Sequence, residues 1–257
     1  MDLLANIPYF LLVFARLSAF FITAPLWMDR QIPGPFKWGF AFFTAILVVG
    51  IVPPNSLLEL DSDFIMLVLK EVIVGLTLGF FTAILLYAVQ LAGSLVDMQS
   101  TFAMATMFDP QMGIQQAMTG RFYYVIAILF FLTIDGHHLL IKGVLASYQW
   151  IPVDAWLPAF VSENLAILSL DIMKNMFGLA FLIAIPLVGT LFLVDISLGI
   201  LSKMVPQMNL FVVGFPIKMV VHFIALYVTL PSFFYVLGKL VNTMVHSMEQ
   251  ILQILAP

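Results

Sequence analysis

Asp135, His137 and His138 are the closest approach to a ligand cluster in this sequence, and they stand between two apolar runs. Imidazole nitrogens and carboxylate oxygens are donors that bind transition metals in proteins. Adjacent side chains on a helix point about 100° apart, so the two histidines are not expected to bind one ion. We interpret the three residues as a polar helix end, and the sequence predicts no metal site.

Other motifs that carry chemistry are missing. The sequence contains no HExxH, GxSxG or GxGD motif and no GxxxxGK[ST] loop, so it offers no protease, hydrolase or nucleotide site. It also has no cysteine, which excludes disulfides and thiol chemistry. His222 and His246 are isolated, and we interpret each as a packed or interfacial side chain. We therefore predict no catalytic residue, no cofactor and no enzymatic activity.

Composition places the chain in a membrane. Of its 257 residues, 63% are hydrophobic and 9% are charged, and the mean hydropathy is +1.10. A soluble domain averages about 25% charged residues. The net charge is −4 and no basic cluster occurs, so membrane lipid is an expected partner and nucleic acid is not. We predict an all-α, multi-pass membrane protein with one membrane domain.

The spans are about six long hydrophobic helices, several of them kinked, since about 20 apolar residues cross a bilayer as helix. The runs cover residues 3–27, 36–52, 64–95, 122–148, 172–203 and 219–255. Pro186 and Pro231 are expected to kink or interrupt their runs, and residues 204–218 are expected to form a break. Glu71, Gly75 and Gly79 share one helical face, where another helix can approach closely. The distribution of Lys and Arg favours cytoplasmic odd-numbered connections and both termini outside.

Four charged residues fall within these apolar surroundings: Arg16, Glu71, Asp97 and Asp195. Ionisable side chains inside a membrane are costly and face protein or water. They can relay protons or coordinate an ion, or they can pair with each other or with partner subunits. We favour pairing, which predicts a role in subunit packing.

Residues 94–121 differ from the rest of the chain, because Met and Phe are mixed there with Gln, Ser, Thr and Asp. Pro110 and Gly113 interrupt any continuous helix. Irregular backbone within a membrane is tolerated where it is buried in protein or lines a cavity. The composition fits a segment that contacts protein and water inside a membrane assembly, and a half-buried connecting loop remains the alternative.

The stretch PLVGTLFLVDISLGILSKMVPQMNLFVVGFPIK, residues 186–218, closely resembles the FliR family of export gates in type III secretion systems. The matching residues are Pro186, Asp195, Gly199, Pro206, Gln207, Asn209, Phe211, Gly214, Pro216 and Lys218. Further matches lie upstream and extend the resemblance over essentially the whole chain: Arg16, Pro25, Ile32, Pro33, Lys37, Glu71, Gly75, Gly79, Ala92, Gly93, Asp97, Asp109, Pro110, Asp135 and Gly136. Lys203 departs from the pattern, because family members often have Arg there, so a fork-shaped contact is not expected.

The resemblance implies a FliP-like part, residues 1–185, followed by a FliQ-like helical hairpin, residues 186–257. It implies a subunit of the flagellar export gate in the bacterial cytoplasmic membrane, at the flagellar basal body. FliP-like, FliQ-like, FlhB-like and FlhA-like membrane proteins are the implied partners, and unfolded flagellar subunits are the implied substrates. The alternative is a self-contained, ion-coupled secondary transporter that uses Glu71, Asp97 and Asp195.

The resemblance also implies two sites. The central segment, about residues 106–121, is expected to plug the closed pore. Its plug and gasket residues are expected to be Met104, Met107, Phe108, Asp109, Pro110, Met112, Gly113 and Met118. The second site is a cytoplasmic-side surface for partner proteins, formed by Lys203, Pro206, Gln207, Asn209, Phe211, Gly214, Pro216 and Lys218.

Overall fold

A computed structural model describes residues 7–29, 32–51, 62–100, 102, 117–155, 163–207 and 209–256. Every regular element in these ranges is an α-helix. In chain order the helices are α1 Ile7–Thr23, α2 Gly34–Ile51, α3 Ser62–Gln99, α4 Met118–Thr133, α5 Gly136–Trp150, α6 Glu163–Met204 and α7 Leu210–Leu255. The predicted all-α class is confirmed.

Several of these helices are long and apolar enough to cross a membrane. Within the described ranges there are 4 such helices, or up to 5 if α4 and α5 are counted as one broken span. Helix α1 is apolar but shorter, with 17 residues. The chain is therefore a multi-pass membrane protein, and the predicted number of about six spans is approximate.

Contacts divide the chain into two compact units. Unit 1 contains residues 1–85, 135–173 and 242–257, and unit 2 contains residues 86–134 and 174–241. The units interleave along the sequence, because α3, α6 and α7 each contribute one part to either unit. The proposed division into residues 1–185 and 186–257 stays a prediction.

In unit 1, α1 packs against both α2 and α3. Aromatic rings join α1 to α2: the Phe10 ring lies edge-on to Phe42 at 5.4 Å, and the Phe21 ring to Phe40 at 5.0 Å. Small residues in α3 let α1 approach closely. A Cβ added to Gly75 would collide with the Arg16 carbonyl oxygen, and one added to Gly79 would lie 2.9 Å from the Phe20 carbonyl oxygen. The close approach predicted at these glycines is confirmed.

In unit 2, the end of α3 crosses the start of α4 with almost no side-chain volume between them. A Cβ on Gly93 would collide with the backbone of Gly120. Farther along α4, the Tyr123 ring stacks on Phe233 of α7 with ring centroids 4.5 Å apart. Helices α6 and α7 meet at Gly214, where an added Cβ would lie 3.3 Å from Leu198.

Helices α3 and α4 extend farther into residues 94–121 than predicted. Helix α3 continues to Gln99 rather than ending at Leu95, and α4 begins at Met118 rather than at Phe122. Asp97 is therefore a helical residue. The last residues of the predicted plug segment, from Met118 onward, form the first turn of α4, and the plug role stays a prediction.

Two of the prolines lie inside a helix where a break was predicted. Helix α7 continues through Pro216 and Pro231. Helix α6 also continues through Pro186, and the kink expected there stays a prediction. The predicted break over residues 204–218 is too long, because the described residues outside both helices are only 205–207 and 209. A proline removes one backbone hydrogen bond from a helix. In a long apolar helix, the remaining hydrogen bonds and the packed neighbours keep the helix continuous.

The contacts of the glycines lead to a paired prediction. We expect Gly75→Ala to destabilise the protein by about 1–3 kcal/mol, because the methyl group forces α1 away from α3. The matched control is Gly178→Ala in α6, where an added Cβ meets nothing within 4 Å and alanine favours helix by up to about 1 kcal/mol. Thermal unfolding of both variants in detergent is the measurement. Equal destabilisation of both variants would contradict the close approach.

Candidate functional site: buried charges and the ends of the central segment

Arg16 and Glu71 form a two-pronged ion pair in the interior of unit 1. Arg16 Nε donates to Glu71 Oε2 at 2.5 Å, and Nη2 donates to Oε1 at 2.9 Å. Both side chains are fully buried, at 0% exposure. The planar guanidinium matches both carboxylate oxygens, a geometry that lysine cannot reproduce. This pair joins α1 to α3.

The remaining donors of Arg16 reach a third helix. Nη1 donates to Ser147 Oγ at 2.8 Å, and Nη2 also donates to the Ile151 carbonyl oxygen at 2.9 Å. The guanidinium carbon lies 4.2 Å from the centre of the Tyr148 ring, and the Tyr148 hydroxyl donates to the Val13 carbonyl oxygen at 3.2 Å. A buried charge with its donors satisfied avoids most of its desolvation cost. Arg16 therefore fixes α5 as well as α3.

Lys70 adds a second cation to the same carboxylate. Its Nζ lies 2.8 Å from Glu71 Oε1. The Nζ also donates to the carbonyl oxygens of Pro152, Val153 and Ala155 at 2.8–2.9 Å. Two cations thus share one carboxylate, and main-chain carbonyl dipoles compensate the remaining positive charge. The contacts attach the chain after α5 to α3.

In unit 2, Asp97 holds the N-terminus of α4. Its carboxylate accepts a hydrogen bond from the Thr119 amide at 3.0 Å and another from the Thr119 hydroxyl. Ala117, the residue that precedes α4, supplies no side-chain cap. A carboxylate at a helix N-terminus satisfies a free amide and complements the helix dipole. Asp97 therefore caps α4 from α3. This contact brings the end of α3 and the start of α4 together.

His222 of α7 lies beside this cap. Its Nε2 is 3.5 Å from Thr119 Oγ1, and its ring stands perpendicular to Phe102 at 5.2 Å. The side chain is 2% exposed, and Nδ1 has no hydrogen-bond partner among the described residues. His222 is therefore a packed side chain, which is one of the two roles predicted from the sequence. It contacts Phe102 and, at the start of α4, Thr119.

Asp195 of α6 forms a third polar cluster. Lys218 Nζ of α7 lies 2.5 Å from Asp195 Oδ1, and Gln99 Nε2 of α3 donates to Oδ2 at 2.7 Å. Lys218 Nζ also donates to the Gln99 carbonyl oxygen at 3.2 Å. The Asp195 side chain is 36% exposed, so this pair is more accessible than Arg16–Glu71. It links α3, α6 and α7 within unit 2.

The family follows from comparison with known proteins. The model of a family described as bacterial export proteins, family 1, matches residues 7–244. The chain belongs to this family. Flagellar biosynthetic protein FliR of Bacillus subtilis (strain 168) is 41% identical over 245 residues, 95% of this chain and 95% of that protein. FliR of Pectobacterium carotovorum is 31% identical over 90% of this chain and 87% of its own, and FliR of Escherichia coli (strain K12) is 27% identical over 80% and 78%.

The structure locates the predicted buried charges of this bacterial export protein. Arg16 and Glu71 contact each other, Asp195 contacts Lys218, and Asp97 binds Thr119. These contacts all lie within one chain. The predicted role of the same residues in packing between subunits stays a prediction.

Most of the predicted plug lies outside the described residues. Those positions are Met104, Met107, Phe108, Asp109, Pro110, Met112 and Gly113. Met118 is described and is 52% exposed at the first turn of α4. Met98, at the end of α3, is 77% exposed. Exposed methionines therefore stand on the two helices that flank the segment.

The predicted partner-contact residues fall into two groups. The exposed ones are Lys203, Pro206, Gln207, Asn209 and Pro216. Gly214 is buried against Leu198, and Lys218 holds Asp195, so their contacts are made inside the chain. Both residues lie on α7, which begins earlier than predicted, and the contact of the whole set with partner proteins stays a prediction. The side chain of Phe211 lies outside the described part.

The structure brings the side chains of the predicted polar helix end together. The ligand atoms of Asp135, His137 and His138 all lie within 4.8 Å of one another. The rings of His137 and His138 are 4.1 Å apart between centroids, and Asp135 joins them because it precedes α5 and has a left-handed backbone, with φ 57°. Its carboxylate returns to His138, with Oδ1 3.2 Å from Nδ1. The three residues converge rather than diverge. The absence of a metal site stays a prediction.

Sequence reasoning missed the polar residues that complete the networks. Lys70, Thr119 and Ser147 are each 0–5% exposed and each binds a predicted charge. Of the three, only Lys70 could have been predicted from the sequence. A lysine beside Glu71 in an apolar run also needs an opposite charge or hydrogen-bond acceptors. Ser and Thr occur throughout apolar helices, where they bond their own backbone, so their position alone indicates little.

Burial leads to a prediction that separates the two ion pairs. Glu71→Gln leaves Arg16 and Lys70 buried without their carboxylate, and we expect a loss of roughly 3–5 kcal/mol. Asp195→Asn breaks a partly exposed pair and should cost less than about 1 kcal/mol. Thermal unfolding of the two isosteric variants in the same detergent measures the difference. A larger loss for Asp195→Asn would contradict the central role assigned to Arg16–Glu71.

Proposed function

We propose that this chain is a non-enzymatic subunit of the flagellar type III protein export gate. With FliP and FliQ it forms the channel that passes unfolded flagellar subunits across the bacterial cytoplasmic membrane. The observation that carries the proposal is membership of an export family over residues 7–244, together with FliR relatives that match almost end to end. FlhB-like and FlhA-like proteins are the associated partners, and the flagellar basal body is the location.

The buried charges support an assembly role rather than ion-coupled transport. A coupling carboxylate must exchange its ion during the cycle, and Glu71 is already held by two cations in a fully buried network. Asp195 is paired with Lys218, and Asp97 is occupied by the N-terminus of α4. These carboxylates therefore join helices. The secondary-transporter alternative has no free carboxylate among these three on which to rest.

The central segment is the proposed plug. The Asp97–Thr119 hydrogen bonds and the Gly93–Gly120 contact join the helix end before it to the helix start after it. A gate for unfolded chains must block ions when it is closed, and it must open for chains of any sequence. Methionine and phenylalanine suit this task, because unbranched thioethers and rings form dry contacts without a fixed partner.

Exposed residues at the α6–α7 connection form the proposed cytoplasmic-side contact with partners. Pro206 and Gln207 are exposed there and lie between the two helices. The chain has no cysteine, so a single cysteine at Gln207 gives an unambiguous crosslinking site. Crosslinks to FlhB-like or FliQ-like proteins are expected, and crosslinks only to extracytoplasmic proteins would contradict the orientation.

Co-purification tests the proposal itself. The tagged chain is expressed alone and together with FliP-like and FliQ-like proteins, extracted in mild detergent and analysed by mass spectrometry. We expect a stable complex that contains all three proteins. Glu71→Gln should reduce its yield, while Asp195→Asn should reduce it less. A monodisperse homo-oligomer that ignores both partners would overturn the export-gate assignment.

Ion leak tests the plug. Deletion of residues 109–113 in the assembled complex is expected to raise membrane conductance, because it shortens the seal. The matched control replaces Met104, Met107 and Met112 with leucine, which keeps apolar volume and should leave conductance low. An assembled complex with the deletion and unchanged conductance would show that this segment does not seal the pore.

A further inference from the structure

The break between α4 and α5 brings three metal-binding side chains together. Asp135 Oδ1 lies 3.2 Å from His138 Nδ1, the rings of His137 and His138 are 4.1 Å apart between centroids, and all three ligand atoms lie within 4.8 Å of one another. Tetrahedral bonds of about 2.0–2.2 Å from nitrogen and oxygen to Zn²⁺ separate neighbouring ligand atoms by roughly 3.3–3.6 Å. The Asp135–His138 distance of 3.2 Å is close to that spacing.

The local backbone explains the convergence. Asp135 adopts a left-handed conformation, with φ 57° and ψ 27°. Its carbonyl oxygen accepts from the amides of His138 and Leu139 at 2.9 and 3.2 Å. These bonds hold Asp135 against the first turn of α5, which carries both histidines. The three ligands are therefore positioned by one turn of main chain and do not depend on packing from a distant element.

His137 provides a second observation. Its Nδ1 is buried but has no hydrogen-bond partner among the described residues. A buried polar atom normally has a partner, and an exception calls for an explanation. A cation bound by the lone pair of one ring nitrogen of His137 would fix the orientation of this ring.

The geometry points to a site for a divalent transition metal of the Zn²⁺ class at Asp135, His137 and His138. Two imidazoles and one carboxylate match the donors of such ions, whereas Ca²⁺ and Mg²⁺ prefer oxygen ligands alone. The side chains of His138 and Asp135 are 61% and 73% exposed, so an ion has access. Three protein ligands leave a coordination position for water or for a side chain of another protein.

The electrostatics of the site also need compensation. The N-terminus of α5 carries a partial positive charge, which disfavours a cation. The Asp135 carboxylate opposes this field next to the helix end. Coordination of a cation would neutralise the carboxylate at this break. This inference concerns metal binding alone and does not depend on the export-gate proposal.

Zinc binding to the full-length chain provides the test. The protein is purified in detergent with a tag that contains no histidine, stripped with chelator and titrated with Zn²⁺ by calorimetry. We expect one Zn²⁺ per chain. Asp135→Asn, His137→Ala and His138→Ala should each weaken Zn²⁺ binding by about tenfold or more. Loss of a residue that only supports a ligand costs about tenfold or more in metal affinity, and loss of a ligand should cost at least as much. Asparagine tolerates the left-handed backbone, so Asp135→Asn keeps the local fold.

His246→Ala is the matched control. His246 is also exposed and faces a carboxylate, with Nδ1 3.7 Å from Glu249 Oε2, but that pair offers only two ligands. The variant should bind Zn²⁺ like the parent chain. Cobalt substitution gives an independent readout, because coordinated Co²⁺ has visible absorption that should disappear in His138→Ala. Binding that is unchanged in Asp135→Asn and His138→Ala, or that is lost equally in His246→Ala, would overturn the site.

Discussion

A buried arginine in an apolar chain is the constraint on which unit 1 depends. Arg16 is fully buried on a helix that is otherwise almost entirely apolar, so every one of its donors must find an acceptor. The acceptors come from α3, from α5 and from the chain after α5. Satisfying this one guanidinium therefore requires α3 and α5 to lie beside α1. The glycines at positions 75 and 79 then allow the backbones to come close enough for the short bonds.

Unit 2 is organised around smaller polar contacts with a different purpose. Asp97 caps α4 across the central segment, and Asp195 receives both Lys218 and Gln99. These contacts lie near the ends of helices rather than in the middle of a core. The Asp97–Thr119 contact brings together the residues that flank positions 101–116.

The two networks also differ in their exposure. Arg16, Lys70 and Glu71 are inaccessible and multiply bonded, which suits a part that remains constant. The Asp195–Lys218 pair and the connection between α6 and α7 are more exposed, which suits a part that meets other proteins. The cluster at Asp135 lies on neither network. Its position at the break between two apolar helices results from local backbone geometry alone.

Much of this protein is determined by its sequence. Apolar runs of sufficient length must be helices in a membrane, because the backbone has no other hydrogen-bond partners there, and the charges at Arg16 and Glu71 must be compensated because they are buried. The tertiary structure alone decided which partners do so. Ser147 and Thr119 are ordinary helix residues until a distant charge reaches them, and Pro216 and Pro231 interrupt nothing once the surrounding helix is long and packed. The convergence of Asp135 with two adjacent histidines was also invisible in the sequence, since it depends on one left-handed residue. Long-range pairings and single backbone conformations are properties of the folded chain, whereas periodicity and burial cost are properties of its composition.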